Sequence, residues 1–196
     1  MKVHVVRTGT ANLASVMAAL RRLDHDPVLT ADPMAIEQTD HLVLPGVGAF
    51  AAAMTELNAA NLIGPLQRRL QAGLPTLCIC LGLQLLASAS EESPGAQGLH
   101  LFQATVTRFP NTVRVPQLGW NDVAPDKGCR FLVPGAAYFA NSYRLLQTPE
   151  GWHPAWTDHA GPFVAAMERD RLLACQFHPE LSGRWGLQLV ERWLAC

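Results

Sequence analysis

Cys80 stands where the sequence changes from one structural period to another. The apolar residues 74–79 are typical of a buried strand, and the leucines and glutamine of residues 81–86 follow helical spacing. A sharp turn from strand to helix lifts the residue at the turn above the sheet, where unpaired N–H groups and the helix dipole favour a thiolate. Gly82 lets such a turn close without a side-chain clash. The pattern predicts a nucleophile elbow that carries cysteine in place of serine.

The competing interpretation of Cys80 is a small buried core residue, since cysteine is among the most frequently buried residue types. Cys78 has no glycine two residues after it and lies inside the apolar run, so we interpret it as structural. The other cysteines are far apart and form no CxxC pair of the zinc-binding kind; they are Cys129, Cys175 and Cys196. We expect free thiols in a reducing cytoplasm, and no metal.

His178 and Glu180 could supply a base and its orienting partner, directly after the last apolar segment, residues 172–177. In extended backbone, residues i and i+2 point to the same side, and Pro179 stiffens the link between them. Glu180 would then accept a hydrogen bond from one ring nitrogen of His178, and the other nitrogen would face Cys80. The His-x-Glu spacing alone is weak evidence, because it recurs by chance.

A third group of interest is residues 44–48, Leu-Pro-Gly-Val-Gly, which follow another apolar segment. Two glycines around one valine allow backbone N–H groups to approach a ligand closely, although a plain tight turn has the same composition. In a parallel sheet the carboxyl ends of the strands share one edge, where ligands bind. We therefore expect this loop, Cys80 and His178 to converge there.

The elements that must position these groups begin with a βαβα pattern. Strands are predicted at residues 3–6, 27–29 and 41–44, with a turn at residues 8–11 and Asn12 as the cap of the first helix. After Ser88 the segments become short, and residues 102–107 alternate between apolar and polar side chains as in a strand. Further short strands are expected around Val113, Val115, Phe131, Tyr138 and Phe139. The last helix is expected at residues 183–194.

This order predicts an α/β fold with an open, mostly parallel central sheet, helices on both faces and an antiparallel extension. The 196 residues fit a single domain, residues 1–196, and 49% of them are hydrophobic. The net charge of −1 offers no basic field for nucleic acid, and no apolar stretch approaches the length of a membrane span. The charged fraction of 16% is low, so a surface that faces a partner is plausible.

The order and spacing of three motifs resemble the triad, or class I, glutamine amidotransferases. The motifs are residues 44–48, the Cys-Leu-Gly-Leu-Gln of residues 80–84, and the His-Pro-Glu of residues 178–180. Within that family, the glutaminase subunits of imidazole glycerol phosphate synthases are similar to this chain in residues 12–16, 116–121 and 138–143. The similarity runs essentially from end to end.

The resemblance implies glutamine hydrolysis by a triad of Cys80, His178 and Glu180, through a thioester and without a cofactor. It implies that the N–H of Leu81 and one from the Gly46-Val47 peptide hold the oxyanion. The residues implied to hold glutamine are Gly48, Gln84, Asn141, Ser142 and Tyr143.

The resemblance also implies a partner, a separate (β/α)₈-barrel subunit in a heterodimer. That subunit would use the ammonia to form imidazole glycerol phosphate and an aminoimidazole carboxamide ribotide in histidine biosynthesis. Asn12, Trp120 and Tyr138 are the residues expected at the interface with it.

The chain departs from the family pattern at three positions near these motifs. Cys78 replaces a glycine two residues before the nucleophile, Asn141 replaces a histidine, and Leu181 replaces a lysine after the His-Pro-Glu motif. Two alternatives remain open at this stage. One is a γ-glutamyl hydrolase or the glutaminase of another pathway, and the other is an inactive binding subunit.

Overall fold

The structure, a computed structural model, describes residues 2–8 and 12–196. The predicted turn at residues 8–11 lies mostly outside these residues. The strands are β1 Lys2–Val6, β2 Asp26–Thr30, β3 His41–Gly46, β4 Thr76–Cys80, β5 Ala89–Ser90, β6 Thr105–Arg108, β7 Gln117–Pro125, β8 Gly135–Asn141, β9 Tyr143–Arg144, β10 His153–Asp158, β11 Pro162–Arg169 and β12 Leu172–Cys175. The helices are α1 Leu13–Arg22, α2 Pro33–Gln38, α3 Phe50–Ala59, α4 Ile63–Gln71, α5 Leu81–Gln84 and α6 Gly183–Leu194, with a 3₁₀ turn at Pro179–Leu181.

The main sheet combines a parallel half with an antiparallel half. Its strand order is β2-β1-β3-β4-β12-β11-β10-β7-β8. The strands from β2 to β12 in this order pair in parallel, and those from β11 to β8 pair antiparallel. A smaller sheet joins β5, β6 and β9. The predicted fold class, a mostly parallel sheet with an antiparallel extension, is confirmed.

Helices cover both faces of the sheet, as the sequence predicts. On one face, α3 and α4 contribute Phe50 and Leu66 to a core that also contains Leu44 of β3. On the other face, α1 and α6 contribute Leu20 and Trp193. With apolar side chains buried on both sides, the central strands read in the sequence as continuous apolar runs. Within the described part of the chain, no helix is long and apolar enough to cross a membrane.

Two local predictions are wrong. Asn12 stands at the N-cap position of α1, but its side chain makes no capping hydrogen bond. Val113, Val115 and Phe131 lie outside the strands, in irregular segments. Prolines at 110 and 116 flank the first two and lack the N–H that a strand ladder needs.

Phe131 belongs to a loop whose backbone N–H groups bond to a buried carboxylate and not to a neighbouring strand. The side chain of Glu168 on β11 accepts hydrogen bonds from the backbone N–H groups of Arg130, Phe131 and Leu132. Glu168 is only 3% exposed, so these amides also satisfy a charge that burial would otherwise penalise. The pattern of apolar residues in this segment reflects its packing on the core and not pairing with another strand.

The side chain of Arg69, on α4, connects several chain segments by hydrogen bonds at the edge of the sheet opposite Cys80. Its guanidinium is buried and acts as a donor to backbone carbonyls of the α2–β3 connection and to the start of β4. Burial, with Arg171 nearby, lowers the pKa of Arg69 to about 10, so the group stays charged at neutral pH. The acceptors are the carbonyl groups of Ile36, Glu37, Thr39, Asp40 and Pro75 and the hydroxyl group of Thr76.

Replacing Arg69 with methionine should lower the free energy of unfolding by about 3 kcal/mol or more, because several buried carbonyls lose their donor at once. Arg68→Met is the matched control: Arg68 is exposed and bonds only to Glu37 on the surface, so its loss should cost less than about 1 kcal/mol. Urea unfolding of both variants measures the difference. Equal losses of stability would contradict this role of Arg69.

Candidate active site

Cys80 occupies a strained turn between β4 and α5. Its φ of 54° and ψ of −110° lie in a region that residues with a side chain rarely adopt. Such a conformation costs about 1–3 kcal/mol and persists only where the surroundings impose it. Cys80 is 7% exposed, lines a cavity and lies directly before the first residue of α5, where the predicted elbow places it.

The surroundings that impose this turn are the backbones of β3 and α5, which touch. A Cβ atom added to Gly82 would overlap the carbonyl oxygen of Leu44, and one added to Gly46 would lie 2.9 Å from the Cβ of Leu81. Gly46 also pairs in register with Cys80. The two glycines therefore allow the loop after β3 to lie directly against the nucleophile turn.

Cys78, at the position where glycine is usual in the family, is accommodated without distorting the strand. It is paired in register with Leu44 on one side and with Ala174 on the other, and it is 1% exposed. Ala174, its partner in register on β12, is a small residue buried in the same core. Burial raises the pKa of Cys78 to about 12, so its thiol is inert, in agreement with a structural role.

His178 and Glu180 meet through a tight turn and not through extended backbone. Nδ1 of His178 lies 2.8 Å from Oε1 of Glu180, and both side chains are nearly fully buried. The 3₁₀ turn at Pro179–Leu181 brings the carboxylate back beneath the ring. The expected proximity is present, but its geometric basis differs from the i, i+2 alternation of a strand.

Ser182 fixes this turn against β8. Its hydroxyl donates to the carbonyl of His178 at 2.6 Å and accepts from the N–H of Tyr138 at 2.9 Å. The N–H of His178 in turn donates to the carbonyl of Tyr138 at 2.9 Å. The backbone of His178 is thus held against β8 by a closed set of hydrogen bonds.

The electrostatics of the site favour a protonated imidazole. Burial opposes the charge on His178, but hydrogen bonds and charge interactions with Cys80 and Glu180 outweigh it and raise the pKa of His178 to about 10. A protonated His178 beside a cysteine sulfur is the arrangement of an imidazolium–thiolate pair. The pair can attack a carbonyl carbon and then donate a proton to the leaving group.

A cavity of about 280 Å³ opens above Cys80 and His178. This volume lies just below the usual range for ligand sites, about 300–1,000 Å³, and suits a ligand of amino-acid size. Of the predicted residues, the structure brings Val47, Gly48, Leu81, Gln84, Asn141, Ser142 and Tyr143 to its wall. Gly46 lies just behind, beside a small second cavity that Asn12 and Glu180 share with it.

One backbone carbonyl accepts hydrogen bonds from two residues of the predicted substrate-binding wall. The carbonyl oxygen of Tyr143 accepts from Nδ2 of Asn141 at 3.0 Å and from Nε2 of Gln84 at 3.3 Å. Asn141 ends β8 and Gln84 ends α5, so this carbonyl joins the antiparallel half of the sheet to the nucleophile helix. Asn141, at the position where the family usually has histidine, thus donates a hydrogen bond to the carbonyl of Tyr143.

Two residues at the site were missed by the sequence analysis. Glu92 lines the cavity, and its Oε2 accepts from the N–H of Phe50 at the start of α3 at 2.7 Å. Gln176 is fully buried, with Nε2 3.8 Å from Sγ of Cys80. No local signal marked Glu92 in its polar loop, whereas Gln176 is a polar residue within the apolar segment that leads to His178 and could have been found from that contrast.

The residues expected at a partner interface lie on the surface near the triad. Trp120 is 60% exposed, and its ring lies 6.3 Å from that of Tyr138, centroid to centroid. Asn12 is exposed. Leu118 and Leu181 add further exposed apolar area.

Comparison with protein families places this chain in a known class. The model of the glutamine amidotransferase class-I family matches residues 5–194. The chain belongs to this family, which confirms the resemblance seen in the motifs.

Relatives narrow the assignment within the family. A protein named imidazole glycerol phosphate synthase subunit HisH, from Thermococcus kodakarensis, is 44% identical over 198 residues, covering 96% of this chain and 97% of the relative. Proteins of the same name from Moorella thermoacetica and Methanothermobacter thermautotrophicus are each 39% identical; the alignments cover 96% and 98% of this chain and 92% and 97% of the relatives.

Solved structures share the fold at lower identity. A crystal structure of a glutamine amidotransferase superposes with a TM-score of 0.76 at 19% identity, covering 98% of this chain and 97% of that one. The structure of PurLQS from Thermotoga maritima gives 0.75 at 13% identity, with 99% and 97% covered. At these identities the likeness concerns the fold alone.

The contact of Gly82 with β3 yields a prediction. Gly82→Ala should lower the free energy of unfolding by about 1–3 kcal/mol and displace Cys80, because neither backbone can move aside without breaking the sheet. Gly64→Ala in α4 is the control, since its added methyl would meet only the flexible end of Arg68 and alanine favours helix. Thermal unfolding and the rate of Cys80 alkylation report the two effects. A Gly82→Ala protein with unchanged stability and thiol reactivity would show that the contact is not needed.

Proposed function

We propose that this chain hydrolyses glutamine to glutamate and ammonia as the glutaminase subunit of an imidazole glycerol phosphate synthase. The observation that carries the proposal is the juxtaposition of Cys80, at a strained elbow, with the His178–Glu180 pair in one cavity of amino-acid size. The names of its close relatives, which align over nearly their whole length, support the choice of synthase.

The first chemical step is attack by the Cys80 thiolate on the side-chain amide carbon of glutamine. The C=O double bond opens, and the negative charge moves to the oxygen. The N–H of Leu81 suits this oxyanion, because Leu81 is the first residue of α5 and its amide has no acceptor one turn earlier. A second donor from the Gly46-Val47 peptide would complete the oxyanion hole, since Gly46 lies directly against Leu81.

The second step expels ammonia. The imidazolium of His178 gives its proton to the amide nitrogen as the C–N bond breaks, and a thioester to Cys80 remains. Glu180 keeps the ring oriented and stabilises its positive charge. A water molecule then attacks the thioester, with His178 as the base, and glutamate leaves as the thiolate returns.

The rest of the cavity wall would hold the amino-acid end of glutamine. Gly48, whose φ is 92°, exposes its backbone to the cavity, and Gln84 and the backbone of Ser142 and Tyr143 lie opposite. Glu92 offers a carboxylate to the α-ammonium group of the substrate. An inactive binding subunit is disfavoured, because an intact and buried Cys-His-Glu arrangement would then serve no purpose.

The proposed partner is a (β/α)₈-barrel cyclase that receives the ammonia in a heterodimer. Its docking surface would include Trp120, Tyr138 and Asn12, which lie next to the turn that carries Glu180. Exposed aromatic residues with apolar neighbours are common anchors of protein interfaces.

Cys80→Ala should abolish glutamine hydrolysis, and Cys78→Ala should leave most of it, because only Cys80 meets His178 and the cavity. Glutamate release is measured with the barrel subunit and its ribonucleotide substrate present, over a titration of that subunit. A Cys80→Ala protein that still releases glutamate at the unmutated rate would refute the mechanism. Glutamate release that never responds to the barrel subunit would refute the partnership.

Glu180→Gln should lower kcat by about 10²-fold and move the alkaline limb of the kcat/KM profile to lower pH. In the unmutated protein His178 keeps its proton until the pH nears its raised pKa of about 10, and part of that elevation comes from the Glu180 carboxylate. Without this charge the imidazolium deprotonates earlier, and the acid that expels ammonia is lost. An alkaline limb at unchanged pH would contradict the role of Glu180.

A further inference from the structure

Gln176 is a fully buried polar residue at the active site that the mechanism above does not use. It lies in the bend that joins β12 to His178. Its Oε1 accepts from Nε2 of Gln84 at 3.0 Å, and its Nε2 points to Sγ of Cys80 at 3.8 Å. Both ends of the side-chain amide are therefore paired.

The direction of these hydrogen bonds is fixed by the backbone. The carbonyl oxygen of Tyr143 can only accept, so Gln84 must turn its NH₂ group toward it. The second hydrogen of that NH₂ group then requires an acceptor, which is Oε1 of Gln176. The NH₂ group of Gln176 is left facing the sulfur. The reverse orientation would place two donor groups against each other.

An amide NH₂ group can donate to a thiolate but cannot accept from a thiol. Hydrogen bonds to the charged form of a group stabilise that form, and they are stronger when the acceptor carries a charge. The site is buried, so water competes little for the sulfur. We propose that Gln176 is a further residue of the catalytic site, whose N–H donates to Cys80 and favours its thiolate, and that Gln84 and the Tyr143 carbonyl hold it in the donor orientation.

The same network connects the nucleophile to the wall of the substrate cavity, because Gln84 lines that cavity. Its part in turnover rests on the proposed glutamine hydrolysis. The contact with the sulfur itself does not, since the reactivity of Cys80 is measurable without glutamine or a partner.

The test is the rate at which iodoacetamide alkylates each cysteine in Gln176→Met, followed by mass spectrometry across a range of pH. Methionine fills a similar volume and lacks the donor. At neutral pH the Cys80 rate should fall about three- to tenfold, as expected for the loss of one charge-assisted hydrogen bond offset in part by higher intrinsic nucleophilicity. The difference should close in strongly alkaline solution, where a thiol ionises with or without a donor. A purely structural role would not produce this pH dependence.

The matched control is Gln67→Met, which removes an amide that donates to the carbonyl of Leu99 at 3.1 Å, on α4. It should leave the Cys80 rate unchanged. Cys129 and Cys196 are partly exposed and give an internal reference rate, and alkylation of the buried Cys78 or Cys175 would reveal unfolding. If Gln176→Met unfolds, Gln84→Met removes the anchor of Gln176 instead and should give a smaller fall in the same direction.

If Gln176→Met is folded and its Cys80 is alkylated at the same rate as in the unmutated protein at every pH, the proposal is overturned. If Gln176→Met unfolds, an unchanged Cys80 rate in Gln84→Met overturns it. With the barrel subunit present, Gln176→Met should lower kcat for glutamine and leave KM nearly unchanged. If the unmutated protein itself releases no glutamate under these conditions, the glutaminase assignment fails, and the alkylation rates still decide the role of Gln176.

Discussion

The contact of two backbones, the end of β3 against the first turn of α5, is the constraint on which the active site depends. It requires glycine at 46 and 82, since a side chain at either position would meet backbone atoms or the side chain of Leu81. The contact places the Gly46-Val47 peptide beside the amide of Leu81, so one packing interaction sets the positions of the two proposed oxyanion donors and of Cys80. These features cannot vary independently: any shift of β3 relative to α5 changes the oxyanion site and the position of Cys80 together.

The strain at Cys80 is held by parallel strands on both sides of β4. Strand β3 pairs with it on one side and β12 on the other, and the residues of α5 are buried. Strand β12 also leads into Gln176 and His178, which contact or face the sulfur. The neighbour that fixes the elbow therefore also supplies its acid–base group. A strained turn that costs about 1–3 kcal/mol persists here because paired strands on both sides and the buried α5 impose it.

The sequence analysis predicted that Cys80 and His178 lie at one edge of the sheet because each follows an apolar strand, and parallel topology brings strand ends together. The predictions were wrong or incomplete where a segment bonds to a side chain that is distant in the sequence and not to a neighbouring strand. Phe131 was assigned to a strand, but its backbone is satisfied by the Glu168 carboxylate. Glu92 could not be placed at the cavity, because its position depends on the N-terminus of α3, 42 residues earlier. The i, i+2 argument brought His178 and Glu180 together for an incorrect reason, since proline and Ser182 make a turn there.

The turn that carries Glu180 lies next to the surface proposed to meet the partner. Leu181 is 39% exposed and follows Glu180 directly, and Ser182 bonds both to His178 and to Tyr138, whose ring packs against Trp120. A protein docked on Trp120 would thus lie against residues that are hydrogen-bonded to the backbone of His178, the proposed catalytic base. Because Leu181 stands where the family has lysine, burial of apolar area rather than an ion pair would hold this contact, and its strength would depend little on salt. Coupling between the proposed partner and Cys80, His178 and Glu180 would then require no long pathway, because the proposed docking surface lies beside this one short turn.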